Sequence, residues 1–334
     1  MPLIVHRAER ADVLADGLAG LLAEPPEDPF ERDVVVVAAE GVQRWLAQTL
    51  SHRLGTAEGQ DDGICAGIEL VRPHRLLAEL TQKDLDDPWS PDRLAWTVLD
   101  VIDQAVEEPW LHVVARHVGH GMAPADEALR RGRRYSTARR TASLLHTYAL
   151  QRPWMVQDWT AGLDVDGQGR ELPAECRWQA ETWRRVTASL AGHPSPDRRL
   201  AATAADLRND AAASELPQRV SFFGHTRMPA AQLDVVAALA ARRHVHLWLP
   251  HPSRRRWELV DDGVASWGAR PARTLVEPPD AGNGLLTACA RDVAELEIGL
   301  LGLEVNLEVR HLEPPPRPDT LLGLLQDDLT TDRP

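Results

Sequence analysis

The chain has 334 residues, of which 43% are hydrophobic and 26% are charged, and this balance excludes a fibrous or disordered protein and suits about two packed domains. Its 50 acidic residues outnumber 37 basic ones, so a formal charge of -13 repels nucleic acid at long range and leaves DNA contact to a local basic surface or to basic partners. Three scattered cysteines, no signal-peptide core and no apolar run of the roughly 20 residues that cross a bilayer predict a cytoplasmic protein without membrane contact.

The first 85 residues alternate strand and helix patterns. Residues 34–37 are four consecutive valines, which is typical of a strand buried on both faces of a parallel sheet. A helical stripe follows, and its spacing predicts that Trp45 and Leu46 lie on the apolar face of a helix. In chain order the patterns predict a strand at 3–5, a helix at 14–22, the strand at 34–37, a helix at 42–54, a strand within 64–71 and a helix at 73–80.

From residue 86 to 215 the strand pattern disappears and amphipathic helices are predicted, the first with Ser90 as its N-terminal cap and Trp96 on its apolar face. Strand patterns return at 219–224 and 245–249 around a helix at 230–241, and one helix is predicted at 285–303. These patterns predict an α/β domain with a parallel sheet, formed by residues 1–85 and 216–310 and interrupted by an all-helical insertion subdomain at 86–215. Residues 311–334 are predicted as a proline-rich linker and the start of a further region.

Residues 33–50 have the strand, turn and helix order of the phosphate-binding segment of nucleotide-driven motors. That segment needs the pattern G-x-x-x-x-G-K-[ST], in which backbone N–H groups hold the phosphates while Lys and the hydroxyl serve charge and Mg²⁺. The chain instead has AAEGVQRW at 38–45, with one glycine, no lysine and Glu40 placed to repel a phosphate. No Asp that could hold Mg²⁺ ends the strand at 219–224. We therefore predict no catalytic residue, bound cofactor or metal on this chain, and no ATPase activity.

Two stretches are rich in arginine. RRGRRYSTARR at 130–140 contains Arg131 and Arg134 and is either a track for a phosphate backbone or a solvated helix face. RRRW at 254–257 is either a second basic contact or a loop. His117 and His120, and the histidines near the predicted strand ends, are interpreted as structural or surface residues because no third metal ligand and no nucleophile accompanies them.

Short segments in one order along the chain match a known family. They are VHRAER at 5–10, DPF at 28–30, GVQRWL at 41–46, SHRLG at 51–55, DPWSPD at 87–92, RRY at 133–135, QRP at 151–153, FGHTR at 223–227 and HLWLPHPS at 246–253. Through them the chain resembles the N-terminal part of the RecC-like gamma subunit of exodeoxyribonuclease V, the RecBCD helicase-nuclease, in its actinobacterial form. The resemblance implies a degenerate superfamily 1 helicase-like domain with a helical insertion, in a subunit whose own chain has neither ATPase nor nuclease activity.

The resemblance also implies a function and partners. The complexes of this family process double-strand DNA breaks for homologous recombination, and the gamma subunit guides one unwound strand and can read a Chi-type sequence. RecB-like and RecD-like subunits and forked DNA are the implied partners, with ATP and Mg²⁺ on the partner subunits. By position, Arg152 matches an arginine of the family's strand-reading tunnel, and Arg44 stands where the family can carry a base-contacting residue. The predicted DNA-binding residues are therefore Arg44, Arg131, Arg134 and Arg152.

Two other functions are open from the sequence. An independent α/β nucleotide-binding enzyme would hold a phosphate with backbone N–H groups and without lysine. A protein-interaction scaffold would use the same surfaces without contacting DNA.

Overall fold

The computed structural model describes residues 2–26, 28, 30–56, 63–81, 86–209, 216–267, 282–314 and 319–333. The chain divides into two compact units. The sheet unit comprises Met1–Gln82, Thr203–Met228 and Leu233–Pro334, and the helical unit comprises Lys83–Ala202 and Pro229–Gln232.

One sheet of six strands lies in the described part of the sheet unit. The strands are β1 (Leu3–Ala8), β2 (Asp33–Val37), β3 (Ile68–Val71), β4 (Arg219–Phe223), β5 (His244–Pro250) and β6 (Leu307–His311). Their order is β3-β2-β4-β5-β1-β6, and every pairing is parallel. All of β2 and nearly all of β4 is buried, as expected of central parallel strands. The α/β class and the parallel sheet are therefore confirmed.

Fifteen α-helices occur within the described ranges. In chain order they are α1 (Ala11–Leu22), α2 (Glu40–Ser51), α3 (Pro73–Leu80), α4 (Pro91–Ala105), α5 (His112–His117), α6 (Pro124–Arg131), α7 (Arg133–Gln151), α8 (Pro153–Thr160), α9 (Arg177–Ser189), α10 (Pro196–Arg208), α11 (Ala230–Ala240), α12 (Arg254–Trp267), α13 (Gly284–Cys289), α14 (Arg291–Leu301) and α15 (Leu321–Thr330). Among the described residues no strand separates α4 from α10, and Val165 and Glu171 form an isolated antiparallel bridge. The predicted run of helices after residue 86 is present, while its role as a helicase insertion stays a prediction.

A leucine layer joins α1 and α2 to the sheet. Leu14 and Leu18 of α1, like Leu46 and Leu50 of α2, are fully buried and stand four residues apart, which places each pair on one helix face. They form one cluster with the strand residues Val35, Val37, Phe223 and Trp248. Burying each leucine contributes about 1.5–3 kcal/mol relative to exposure. This layer fixes the start of α2 at the end of β2.

The core of the helical unit is built on α4 and α7. Leu94, Val98 and Ile102 of α4 and Leu145 of α7 are buried in one cluster with Trp89, Trp159 and Trp183. The three indole N–H groups donate to the His193 carbonyl at 2.8 Å, the Val165 carbonyl at 2.7 Å and the Thr160 hydroxyl at 2.9 Å. Because each buried donor has a partner, the tryptophans contribute apolar burial without an unsatisfied polar group.

Two tryptophans predicted to lie on apolar helix faces are exposed, so that prediction is wrong. Trp96 is 59% exposed, because it stands two residues from both Leu94 and Val98 and an α-helix turns about 200° in two residues. Trp45 is 38% exposed, at the flank of the buried line formed by Leu46 and Leu50.

Four smaller features also differ from the sequence patterns. The single helix at 285–303 is wrong, because α13 and α14 are separate on either side of Ala290. RRRW at 254–257 begins α12 and is not a loop, and β6 was not predicted. Ser90 is the N-cap residue of α4, but its side chain makes no capping hydrogen bond. Within the described ranges, none of the helices has the length and apolar character to cross a bilayer.

Candidate nucleic-acid interface

The carboxyl ends of the neighbouring strands β2 and β4 lie side by side, and the connections that follow them run to opposite sides of the sheet. β2 leads through α2 to β3, and β4 leads through α11 to β5 on the other side. In open parallel sheets, ligands bind in the crevice outside such a switch point. A nucleotide site of the sheet unit would therefore lie at the turn from Val37 to Glu40.

Glu40 fills this turn with a carboxylate. It is the first residue of α2, after the extended N-cap residue Ala39. Its Oε1 accepts a hydrogen bond from Arg44 Nη2 at 2.6 Å, and its Oε2 accepts one from Arg72 Nη2 at 3.3 Å. Phosphates bind at helix N-termini because the backbone N–H groups and the helix dipole attract negative charge. Here the first turn of α2 carries an exposed acid that is paired with two cations of the chain itself.

The turn after β4 comes close to α2. Gly224 has a φ of +73° and its N–H donates to the Trp248 carbonyl at 2.9 Å. A Cβ atom on Gly224 would lie 3.5 Å from Cγ1 of Val42, and the Phe223 ring lies 6.2 Å from the Trp45 ring. Apolar side chains of α2 therefore line the side of the crevice that faces β4.

His225 takes the position where a motor would place a magnesium-binding acid. It is 5% exposed, and neither ring nitrogen has a hydrogen-bond partner. Burial lowers its pKa to about 4, although the Phe223 backbone acts in the opposite direction. The ring is therefore neutral at pH 7. In the part of the chain that the structure describes, no group of three or more metal-binding side chains could hold an ion.

The basic cluster at 130–140 spans the end of α6 and the start of α7. Three of its arginines lie within ion-pair distance of carboxylates. Arg131 lies 3.7 Å from Glu127, one helical turn earlier, and is 70% exposed. Arg134 of α7 donates to Asp103 at 3.0 Å. The remaining pair joins Arg139 to Asp92 at 3.5 Å.

Other arginines line a groove of about 640 Å³ in the helical unit. Three arginines are among its lining residues, namely Arg116, Arg130 and Arg140. The rest of the lining combines one imidazole with hydroxyl and apolar side chains, namely His117, Ser136, Thr137, Thr141, Val113, Val114, Leu144 and Trp178. Among the described residues, none of the three arginines has a carboxylate partner, and Arg130 donates only to the Arg116 carbonyl at 3.4 Å. We call this feature the arginine groove.

Arg152 lies at the joint between α7 and α8. Its N–H donates to the Tyr148 carbonyl at 2.8 Å, and its carbonyl accepts from the Met155 N–H at 3.0 Å. A Cβ atom on Gly167 would lie 2.9 Å from Arg152 Cδ, so the side chain packs against that loop. Arg152 is half-buried and does not line the arginine groove.

Comparison with known proteins identifies the family. A sequence model described as the RecC N-terminal domain matches residues 3–332. The chain belongs to the RecC N-terminal domain family. The RecBCD enzyme subunit RecC of Mycobacterium tuberculosis is 44% identical to it over 100% of this chain and 30% of that protein. The same subunit of Mycolicibacterium smegmatis is 42% identical over 99% of this chain and 28% of that protein, and that of Escherichia coli is 25% identical over 78% and 22%.

The resemblance found in the short segments is thus confirmed. This RecC-family chain spans less than a third of the length of the relatives it matches. Its four predicted DNA-binding residues stay predictions, and the structure places them differently. Arg44 is 80% exposed beside Glu40, Arg131 and Arg134 belong to ion pairs next to the groove, and Arg152 ends α7.

The groove arginines of this RecC domain were not singled out in the sequence. Arg131 has Glu127 one turn earlier, which is a readable sign of an ion pair. Arg116 and Arg140 have no acidic residue three or four positions away, but the paired Arg139 has none either, and Arg130 has Asp126 and Glu127 at these spacings. Spacing along the chain therefore does not mark the groove arginines. The partner of Arg134 is on another helix, so that pair could not be read from spacing.

Proposed function

We propose that this RecC domain is a non-catalytic, DNA-guiding part of an ATP-dependent helicase-nuclease that processes double-strand breaks for recombinational repair. In this proposal the sheet unit is a degenerate superfamily 1 helicase-like domain, and RecB-like and RecD-like subunits carry ATP and Mg²⁺. The observation that carries it is the Glu40 carboxylate at the switch point, bound by Arg44 and Arg72. Membership of the RecC family and the names of the RecBCD relatives support the setting.

Charge explains why a helicase-like turn of this kind does not use ATP. A triphosphate at the start of α2 would meet Glu40, and two like charges a few ångströms apart repel each other. The chain's one lysine, Lys83, lies outside the described residues and far from the turn in sequence. Without a lysine and a hydroxyl, the turn lacks the groups that neutralise the phosphates and hold Mg²⁺. In this proposal the domain supplies binding surfaces and does not hydrolyse ATP.

Strand guidance is tested by photo-crosslinking in the assembled complex. A benzophenone amino acid replaces Arg152 or Arg131 in the full-length subunit, and the complex is irradiated on forked DNA. We expect a DNA crosslink from both positions. Position 185 is the matched control, because Arg185 is an exposed arginine of the same unit that is held by Glu181 and Glu108.

The outcomes separate the three functions. Crosslinks from 152 and 131 with none from 185 support DNA guidance. If assembly is intact and neither 152 nor 131 crosslinks, the chain is a protein-interaction scaffold. Saturable MgATP binding by the chain alone would instead support an independent nucleotide-binding enzyme. Recognition of a Chi-type sequence is part of the same proposal. Because position 44 is an arginine, the DNA sequence recognised here can differ from the one recognised by relatives that carry another residue at this position.

A further inference from the structure

The arginine groove combines positive charge with an apolar wall, and nothing in the known relatives' names assigns it a ligand. We infer that it binds the phosphodiester backbone of a single DNA strand, with a base against Trp178 and Leu144. This inference rests on the proposed DNA-guiding function and names a binding site for it. The site is separate from Arg152, which does not line the groove.

The pairing of the arginines is the first argument. Every arginine of the 130–140 cluster that points to a described carboxylate lies outside the groove, as Arg131, Arg134 and Arg139 do. Arg116, Arg130 and Arg140 line the groove and have no such partner among the described residues. Arginines that line one groove without a carboxylate partner repel each other unless an anion lies between them. The groove is thus arranged for an anionic ligand.

The chemistry of the lining selects a phosphodiester. A planar guanidinium forms paired hydrogen bonds with phosphate oxygens, and the hydroxyl of Thr137 adds a possible donor. Trp178 is partly buried against the helical core and Leu144 is 41% exposed, so both offer apolar surface to the groove. Bases stack on aromatic side chains such as Trp178 without sequence preference. A groove lined by both charged and apolar side chains suits a strand that carries both phosphates and bases.

Size and local charge agree with this ligand. A volume of about 640 Å³ lies within the roughly 300–1,000 Å³ of pockets that enclose a small organic ligand, which is the scale of a nucleotide. Residues 86–202 contain 15 arginines and 16 acidic residues, so this part of the chain is nearly neutral although the whole chain has a charge of -13. The long-range repulsion of DNA therefore comes from elsewhere in the sequence.

The test measures binding of a fluorescent oligothymidylate of about 16 nucleotides to the 334-residue chain by anisotropy. The groove variant carries Arg116→Gln and Arg140→Gln. The matched control carries Arg139→Gln and Arg185→Gln, which remove the same charge from two arginines held by acids outside the groove. We expect the groove variant to bind about tenfold or more weakly, and its salt dependence to fall by about 0.7 in log–log slope for each arginine. The control variant should bind within about twofold of the parent chain.

Several results would overturn the inference. These are equal weakening in both variants, no weakening in the groove variant, and no binding by the parent chain. Displacement of the oligonucleotide by a polyglutamate peptide that the parent binds more tightly would assign the groove to an acidic protein segment. Circular dichroism confirms that each variant is folded. The groove variant could bind the oligonucleotide as tightly as the parent chain while position 152 still crosslinks to DNA in the complex. That result would reject the groove as the binding site and leave the DNA-guiding function supported.

Discussion

Replacing Arg7 with alanine is expected to lower the free energy of unfolding of the sheet unit by about 3–5 kcal/mol, a loss typical of large buried side chains. The Arg7 side chain is 1% exposed at β1, donates to Glu297 at 3.3 Å and lies 2.7 Å from the centre of the Trp257 ring. It thereby joins β1 to α12 and α14. Alanine removes the cation–π contact, the hydrogen bond and the packing together. Urea unfolding of the chain, followed by circular dichroism, measures the loss.

The partner carboxyl group is expected to behave differently. Burial raises the pKa of Glu297 to about 11, with the carboxyl of Asp261 acting in the same direction and Arg7 against it. The raised pKa favours the protonated form of the Glu297 carboxyl group at neutral pH, and Asp261, which accepts from the Trp257 indole at 3.1 Å, acts on Arg7 electrostatically in the same direction as Glu297 does. Glu297→Gln keeps a neutral carbonyl acceptor and should cost about 1 kcal/mol or less.

Two comparisons make this prediction sharp. Arg254→Ala removes an exposed arginine that pairs with Glu258 and Glu313, and it should cost about 1 kcal/mol or less. A Glu297→Gln variant as unstable as Arg7→Ala would contradict the protonated state of Glu297. A stable Arg7→Ala variant would contradict the role of Arg7 in joining β1 to α12 and α14.

Acidification from pH 7 to pH 5 is expected to destabilise the sheet unit by several kcal/mol. Four buried histidines cause this. Burial lowers the pKa of His6 and His225 to about 4, and it lowers the pKa of His246 and His251 to about 3. Between these values and the ordinary pKa of about 6.5, the unfolded chain binds a proton at each histidine and the folded chain does not. As the pH falls, each histidine therefore lowers the free energy of unfolding by about 1.4 kcal/mol per pH unit. Glu297, whose pKa is raised, acts in the opposite direction and offsets about one histidine's share.

The His6 and His246 rings explain why the folded state rejects these protons. His6 Nε2 and His246 Nδ1 share one hydrogen bond at 3.0 Å, and the His6 ring stacks on Trp248 with 3.7 Å between ring centres. A second proton on this pair would place two charges inside the sheet. The unfolding midpoint in urea, measured at several pH values from 7.5 to about 5, reports the effect.

A single replacement isolates one proton of this response. His225→Leu is closer in volume to histidine and removes the titratable ring from this buried site, so stability at pH 7 should change by about 1.5 kcal/mol or less. Its stability curve should lose one histidine's share of the pH slope. His74→Gln changes an exposed histidine of the same unit and should leave the slope as it is. A parent chain whose stability is flat from pH 7 to pH 5.5 would contradict the prediction.

Local patterns were sufficient for the central sheet because burial on both faces leaves a direct mark on the sequence. Four valines marked β2, the prolines at 25 and 26 follow the end of α1, and Pro73 marked the start of α3. β6 left a weaker mark, since its residues are mostly exposed and only Leu307 and Val309 alternate with charged neighbours. Its place beside β1 depends on pairing with residues about three hundred positions away. Such pairing cannot be read from a local pattern.

The candidate interface was only partly predictable for a related reason. Composition identified the basic cluster, and the absence of lysine at 38–45 indicated that this turn lacks the residues that bind a phosphate. Which arginines are neutralised depends on acids brought near by packing, as Asp103 is brought to Arg134. Trp96 shows a second limit. Its position two residues from Leu94 and Val98 already indicates the exposed face of the helix, but the pattern was interpreted as placing it on the buried face. Its ring lies 5.2 Å from that of Tyr135 on the surface of the helical unit.

The most direct test labels the assembled, full-length complex with a photoreactive ATP analogue and a photoreactive DNA fork in parallel. Peptide mapping then locates both labels. We predict DNA label within this domain and nucleotide label on partner subunits, with none between residues 33 and 51. Nucleotide label at the start of α2, or the absence of DNA label from this domain in a complex that unwinds DNA, would contradict a RecC domain that guides DNA without binding ATP.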